Sequence, residues 1–275
     1  MQCKSKAWMI LIYVFLTVCA FVTVFPILWV VFSSFKPAGE LFNWPSTLLP
    51  QSPTLENYIN ALAKGNFLQY FQNTFFVTVL ATLLTIVVNL MSGYVFAKYN
   101  FKGRNFLFAL VLMTMMIPLE VIMIPVFKVI VGTHMYDNLW GLIIPAVASP
   151  TAVFLIRQYY IGIPSDYMEA GRIDGASELG IFLRIMAPMA YPVLSVLCIF
   201  SFMWRWNDYL WPKIVISSKS NYTIQLALAT FSGEYSVDWD SLLAMSVITM
   251  IPVLIIFLIF QKHIVGGITI GGVKG

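Results

Sequence analysis

Five charged side chains, Glu169, Arg172, Asp174, Glu178 and Arg184, crowd into the stretch EAGRIDGASELGIFLRIMAPMAYP (169–192) of a chain that is otherwise 60% apolar and 10% charged. Between them stand Ala170, Gly171, Gly175 and Ala176, which are small enough to let a second backbone approach closely. Small residues ringed by charge suit docking against a protein better than making or breaking a bond. Catalytic and metal chemistry find little support elsewhere. The two histidines, His134 and His263, have no partner at ligand spacing, and Cys3, Cys19 and Cys198 are scattered in a way that fits neither a disulfide framework nor a metal site. No nucleophile–base pair stands out. No G-x-x-x-x-G-K-[ST] phosphate loop occurs, and the final GGVKG lacks both its spacing and a following Ser or Thr. The chain is therefore not expected to be an enzyme or to hold a cofactor or metal.

A second group of polar residues lies within apolar runs: Asn89, Glu120, Arg205, Asn207 and Asp208. Polar groups are costly in lipid, so these are candidates for a substrate pathway. Trp204, Trp206, Tyr209 and Trp211 surround the last three. Aromatic faces beside polar edges suit a sugar, which has apolar ring faces and hydroxyl rims. Two plainer readings stay open. Arg205 and Asp208 are three residues apart and can pair with each other, and the tryptophans can mark the membrane interface.

These residues need elements that span a membrane. The mean hydropathy is +0.84, and charge is far below the ~25% of ordinary globular chains, so the solvent of this fold is lipid. The net charge of +4 fits basic loops at a membrane rather than a nucleic-acid surface. An all-α membrane protein follows. Six segments reach the length of about 20 apolar residues that a bilayer requires: 8–32, 70–96, 105–127, 138–160, 187–211 and 241–261. Lys4 and Lys6 before the first could mark a cleaved signal peptide, but that run is too long for one, and an uncleaved first span is favoured. Pro26, Pro118, Pro125, Pro145, Pro192 and Pro252 fall inside the segments and predict kinked helices packed around a path.

Orientation follows from Lys and Arg. With the N-terminus inside, the cytoplasmic segments hold ten: Lys4, Lys6, Lys98, Lys102, Arg104, Arg157, Arg172, Arg184, Lys262 and Lys274. The outer segments hold five: Lys36, Lys64, Lys128, Lys213 and Lys219. Both termini are thus expected in the cytoplasm. The outer loops, 33–69 and 212–240, include a short helix at 54–65 that Thr54 caps, Gly65 ends, and Leu55, Tyr58, Ile59 and Leu62 give an apolar face. No internal repeat or low-complexity linker divides the chain, so residues 1–275 are expected to form one membrane domain.

The polar segment then lies in a cytoplasmic loop between the fourth and fifth spans. Within 161–188, Ser165 or Asp166 starts a helix, with Glu169 completing a capping box. Asp174-Gly175 turns the chain, because glycine kept inside a helix costs ~1 kcal/mol against alanine. A second helix runs from about Ser177 to Pro188. A polar helical loop can be a mere linker; the small-residue patch favours a docking surface that passes force to the fifth span.

This segment resembles the EAA loop of the membrane subunits of bacterial ABC importers. That motif reads Glu-Ala-Ala, three residues, Gly, nine residues, Ile, one residue, Leu-Pro. Here Glu169, Ala170, Gly171, Gly175, Ile185, Ala187 and Pro188 keep the spacing, with Gly171 in place of the second alanine and Ala187 in place of the leucine. Asp174-Gly175-Ala176 matches the form common in sugar importers. WRWNDYLWP (204–212) and the tail IPVLIIFLIFQKHIVGGITIGGVKG (251–275) are similar to segments of carbohydrate permeases, the tail to that of the maltose system's second permease.

The resemblance implies a permease subunit of a carbohydrate importer in the bacterial cytoplasmic membrane. Glu169, Ala170, Gly171, Asp174, Gly175, Ala176, Ile185 and Pro188 would seat coupling helices in a cleft of an ATPase subunit. The tail (266–275), with Gly271, Gly272, Lys274 and Gly275, would approach the ATPase interface. The implied partners are two ATPase subunits that bind the ATP, a second permease making a heterodimer, an extracytoplasmic solute-binding protein, a sugar and membrane lipid, with no nucleic acid. Trp239 and Asp238 could help receive the binding protein, or Trp239 could anchor at the interface. A glycerol phosphoester or other polyol is the alternative cargo. A standalone transporter or channel would need more spans, inverted repeats or a charge relay.

Overall fold

The computed structural model of the chain describes residues 6–233 and 237–270, with Ala7 and residues 262–270 by backbone alone. In chain order its helices are α1 (Lys6–Ser33), α2 (Glu56–Lys64), α3 (Phe67–Lys98), α4 (Arg104–Thr114), α5 (Leu119–Gly132), α6 (Trp140–Val147), α7 (Pro150–Ile161), α8 (Asp166–Ile173), α9 (Glu178–Ile181), α10 (Ala187–Met189), α11 (Tyr191–Trp206), α12 (Leu210–Val215), α13 (Ile224–Thr230) and α14 (Trp239–Ile270). Phe182–Met186, between α9 and α10, is a π-helical turn. Among the described residues extended pairing is confined to one isolated bridge, Ser232 with Val237. Among the described residues, four helical stretches are long and apolar enough to cross a membrane: Trp8–Ser33, Phe67–Lys98, Trp140–Ile161 and Trp239–Gln261. There are six where each of two bent pairs is one span.

The bends are where the structure departs from the sequence reading, and proline explains them. The expected span 105–127 is two helices, α4 and α5, meeting at 105°. Pro118 stands in the break with ψ 139, outside helical space. It has no N–H to continue the ladder, and it disfavours helical geometry at Ile117. The expected span 187–211 is also bent. Residues 178–189 meet α11 at 74°, and α11 ends at Trp206 rather than Trp211. The stretch 140–161 is interrupted at Ala148 and Ser149 ahead of Pro150. At the other end of the chain the helix outruns expectation: α14 continues beyond residue 261 to Ile270.

The chain forms two compact groups. The first comprises the described residues of Met1–Phe67 with Leu228–Ile251. Here the loop after α1 is laced to its own helices. Asn57 Nδ2 donates to the carbonyls of Ser34 (2.9 Å) and Lys36 (2.7 Å), Ser34 and Tyr58 hydroxyls meet at 2.6 Å, and Lys64 pairs with Asp238 at 2.6 Å. Helix α2 is turned differently from the sequence expectation. Thr54 does take the Glu56 N–H, and Gly65 follows the last turn. But α2 buries Asn57 and Ala61, while Leu55, Ile59 and Leu62 are exposed. The buried polar anchor Asn57 decides the rotation, because its amide can be satisfied only against the Ser34 and Lys36 carbonyls.

The second group takes the described residues of Leu68–Ala227 with Pro252–Gly275. Its backbone is α3, which contributes to two cores. Leu90 and Tyr94 pack with Ile156, Tyr160, Ile181 and Met186. Val77 and Ala81 pack with Ile130, Ile143, Val215 and Leu226. Gly93 lets α3 cross α7: a Cβ there would lie 2.6 Å from Ile156 Cγ2 and 3.2 Å from the Arg157 backbone nitrogen. Gly93→Ala should therefore cost about 1–3 kcal/mol by overpacking and lower the melting temperature in detergent. Gly132→Ala, where a Cβ meets nothing within 4 Å, should not. Equal melting of the two variants would place the crossing elsewhere.

Candidate functional site

The 164–188 segment folds as two short helices joined by a turn. Gly175 adopts φ +76, the left-handed conformation that glycine enters without steric cost. Ser177 then caps α9, its Oγ accepting the Gly180 N–H at 3.1 Å. The expected capping box at α8 does not form. Ser165 precedes α8 with helical dihedrals and no side-chain cap bond, so backbone bonds from Met168 and Glu169 to its carbonyl open the helix instead. Gly171 is buried where α8 packs on the following turn; a Cβ there would meet Ile181 and Ile185 side-chain carbons at 3.0 Å. The glycine that replaces the motif's alanine thus permits a close helix contact.

Of the residues assigned to docking, Glu169, Ala170, Asp174, Gly175, Ala176 and Pro188 are exposed, Gly171 is buried and Ile185 is half-buried. The same surface presents Tyr167, Ile173, Leu179 and Leu183, all exposed. Sequence reasoning passed over these four; the signal was apolar side chains inside a polar loop. It also gave Glu178 no role. Its carboxylate receives Arg172 through two nitrogens, Nε at 2.6 Å and Nη2 at 3.3 Å, and the Tyr99 hydroxyl from just beyond α3. The Arg172 guanidinium, helped by that hydroxyl, holds the Glu178 carboxyl down to about 2. Burial, and then the bond to Glu178, push the Tyr99 phenol up.

The polar residues of the apolar runs are placed by the break before Pro150. That proline has no N–H for the Ala146 carbonyl, so the carbonyl must find another donor. It finds two: the Thr85 hydroxyl at 3.0 Å and Arg205 Nη2 at 2.6 Å. Asn89 spans the same break, donating to Val147 O at 2.7 Å and accepting the Ser149 N–H at 3.0 Å. Arg205 does not pair with Asp208, whose carboxylate takes the Trp211 N–H at 3.3 Å. Asn207 and Glu120 are exposed, and Asn207 donates to Met203 O at the end of α11.

Arg205 stands at two cavities. One, of about 190 Å³, is bounded by Thr85, Ser149, Phe200, Ser201 and Trp204. The other, of about 140 Å³, is bounded by Met123, Leu142, Asp208 and Trp211. Ser201 Oγ and Arg205 Nε are buried with no hydrogen-bond partner. Trp239 is exposed at the start of α14. Residues 271–275, with the expected tail contacts Gly271, Gly272, Lys274 and Gly275, lie outside the described residues.

Apolar helices interrupted at prolines, with a polar helix–turn–helix between two of them, define a multi-pass membrane protein. Residues 89–270 match the family model described as the inner membrane component of binding-protein-dependent transport systems. The chain is 40% identical over 259 residues to the arabinooligosaccharides transport system permease protein AraQ of Halalkalibacterium halodurans, covering 93% of each chain. It is 40% identical over 275 residues to the AraQ protein of Bacillus subtilis, covering 99% of this chain and 98% of the relative. Its fold matches a crystal structure of a bacterial ABC transporter involved in the import of the acidic polysaccharide alginate, with a TM-score of 0.85 and 24% identity, over 95% of this chain and 99% of that one. The chain belongs to this family of inner-membrane transport components: it is a permease subunit of an ABC import system that works with a binding protein, and not an enzyme.

The depressed Glu178 value fixes a pH window. Its contribution is present in full above the ordinary glutamate value of 4.5 and is lost as pH falls from there through about 2. Spin labels on Ile173→Cys and Leu179→Cys, both exposed positions, in a chain whose native cysteines are replaced, should keep one distance between pH 8 and pH 5. Adding Glu178→Gln should broaden that distance at both pH values. A distance that changes between pH 8 and pH 5 would show that the Arg172–Glu178 pair does not set the turn.

Proposed function

We propose that this permease carries a sugar or oligosaccharide from an extracytoplasmic solute-binding protein into the bacterial cytoplasm, driven by two separate ATPase subunits. The observation that carries the cargo is the 40% identity, over nearly the full length, to permeases named for arabinooligosaccharides. The chain acts as one membrane domain of six spans, two of them bent, beside a second and different permease. Both termini face the cytoplasm, as the excess of Lys and Arg on that side supports. Helix α1, none of whose 18 most apolar residues is buried by this chain, faces lipid or that partner.

The 166–189 segment is the coupling loop. Glu169, Ala170, Asp174, Gly175 and Ala176 meet an ATPase subunit with their exposed surface, Gly171 and Ile185 set the angle between the two helices, and Pro188 marks the return toward the fifth span. Exposed Ile173 and Leu179 add an apolar contact to that seat. Gly271, Gly272, Lys274 and Gly275, which follow α14 in the sequence, contact the same ATPase interface. Arg205, Asp208 and the two cavities they line form this subunit's share of the substrate path, where Trp204 and Phe200 offer ring faces and Ser201 an uncommitted hydroxyl. Asn89 serves that path indirectly, by holding the backbone at Ser149.

Purification from the native membrane in mild detergent, with mass spectrometry of what accompanies the chain, tests this reading. Recovery of an ATPase, a second permease and a binding protein carrying a sugar supports it. A glycerol phosphoester or other polyol on the binding protein would keep the machine and change the cargo; the chain alone, active in liposomes without ATP, would remove both. Gly175 supplies a sharper check. Apart from its two chain neighbours, nothing lies within 4 Å of where its Cβ would be, so a side chain added there is opposed by the left-handed backbone and by a docked partner rather than by packing within this chain. Gly175→Trp should insert in the membrane and lose transport by more than about tenfold, whereas Gly175→Asn, which tolerates the left-handed conformation, should stay within about threefold of the unaltered chain. Normal transport by Gly175→Trp would sink the docking assignment.

A further inference from the structure

The backbone path from the 166–189 segment into the fifth span is weak, and the side-chain path into its neighbours is strong. Between α10 and α11 the chain bends by 74° around Ala190, whose φ −80 and ψ −1 depart from regular α-helical values, although its N–H still reaches Met186 O and its carbonyl still takes the Leu194 N–H. Pro192 supplies no N–H to the Pro188 carbonyl, so the ladder lacks a rung at the bend. A joint of this kind swings more readily than it pushes.

Side-chain bonds bypass the joint. From α7, the Tyr160 hydroxyl donates to Met186 O at 3.0 Å and the Tyr159 hydroxyl donates to Met189 O at 3.0 Å. Both acceptors sit where the π-helical turn and the bend disturb normal helical bonding. At the α3 end, Tyr99 donates to Glu178, Lys98 donates to the Ile163 carbonyl ahead of α8, and the Tyr94 ring lies 5.4 Å from Tyr160 and 5.1 Å from Phe182. Met168, Ile181, Phe182 and Met186 share one buried core with Leu90, Tyr94, Ile156 and Tyr160, and the first turns of α11 meet that core through Leu197, Val193 and Leu194, which leaves the far end of α11 as the part free to swing. In an apolar interior a phenol–carbonyl bond is costly to leave unmade, so these contacts hold through a displacement.

We propose that the coupling segment, α3 and α7 move as one block, ganged by Tyr99, Tyr159 and Tyr160 as positioning residues, while α11 pivots against that block at Ala190. The consequence reaches the larger cavity. Its Thr85 and Ile86 belong to α3 and its Ser149, Thr151 and Ala152 to α7 or its cap, but its Leu197, Phe200, Ser201, Trp204 and Arg205 belong to α11 or its last turn. The pivot therefore separates or closes the two walls of that cavity. This inference rests on the coupling-loop reading of residues 166–189.

Two distances in the whole reconstituted importer test it, in chains without native cysteines. Spin labels on Val95→Cys (α3) and Leu183→Cys (π-helical turn) report the block; labels on Leu183→Cys and Phe200→Cys (α11) report the pivot. All three positions are exposed. Between the ATP-free and ATP-trapped states the first distance should hold and the second should change. Tyr159→Phe with Tyr160→Phe, which keeps both rings, should release the first distance and cut solute imported per ATP hydrolysed about tenfold, with ATPase activity retained. A constant Leu183–Phe200 distance overturns the pivot, and a changing Val95–Leu183 distance overturns the block. Unchanged coupling in the double variant overturns the role of the phenols. Failure of the coupling-loop reading itself would show separately, as normal transport by Gly175→Trp.

Discussion

A carbonyl left without its helical donor is the constraint around which this chain is organised. In hydrocarbon no water can take the place of the missing N–H, and an unsatisfied group costs several kcal/mol. Proline creates such carbonyls wherever it interrupts an apolar helix. At Pro150 the structure answers with three side chains at once. Thr85 and Arg205 converge on Ala146 O, and Asn89 reaches both Val147 O and Ser149 N. Thr85 and Asn89 belong to a polar face of α3 on which Thr74, Thr78, Thr82, Thr85 and Asn89 recur every three or four residues and are all buried. A helix bearing that stripe can be turned only one way, and its rotation in turn places Gly93 against α7.

The same constraint separates structural polar atoms from those still free to act. Most of the capacity of Asn89 is spent on backbone. Arg205 spends one nitrogen on Ala146 and keeps Nε buried without a partner, beside an equally unpartnered Ser201 hydroxyl. This guanidinium keeps a donor to spare beside two cavities. The broken helix thus does two things with one arginine: it gains a donor for a stranded carbonyl, and it fixes the position of a cation that would otherwise snorkel toward water.

Sequence pattern reached the polar segment well and the apolar helices less well. The turn at Gly175 was legible because Asp-Gly states its own geometry, and Ser177 was legible as a helix start. The apolar lengths of the spans were legible because hydropathy integrates over twenty residues and is indifferent to bends. The 105° and 74° breaks were not, because a proline announces a kink and not its angle, which neighbouring helices decide. The face of α2 was misjudged for a related reason: a count of Leu and Ile favours burying them, but one buried asparagine with two carbonyl partners outweighs three exposed aliphatics in fixing rotation. Glu178 was overlooked because its partner Tyr99 lies 79 residues away, beyond any local spacing rule.

The two kinds of contact holding the 166–189 segment differ in energy and therefore in purpose. The Arg172–Glu178 pair is exposed on both sides, where solvent screens it and such pairs contribute little to stability. Its bidentate geometry nonetheless selects one relation between α8 and α9, as a planar guanidinium fork does. The phenols of Tyr159 and Tyr160 act on the inner side, where a broken bond leaves a phenol hydroxyl without its acceptor and the segment cannot detach cheaply. The segment is consequently shaped on its outer surface and anchored on its inner one. Its outermost residues, Tyr167, Ile173 and Leu179, remain uncovered by this chain. Under the coupling-loop proposal, apolar groups on so braced a surface lose little further conformational freedom when an ATPase subunit covers them.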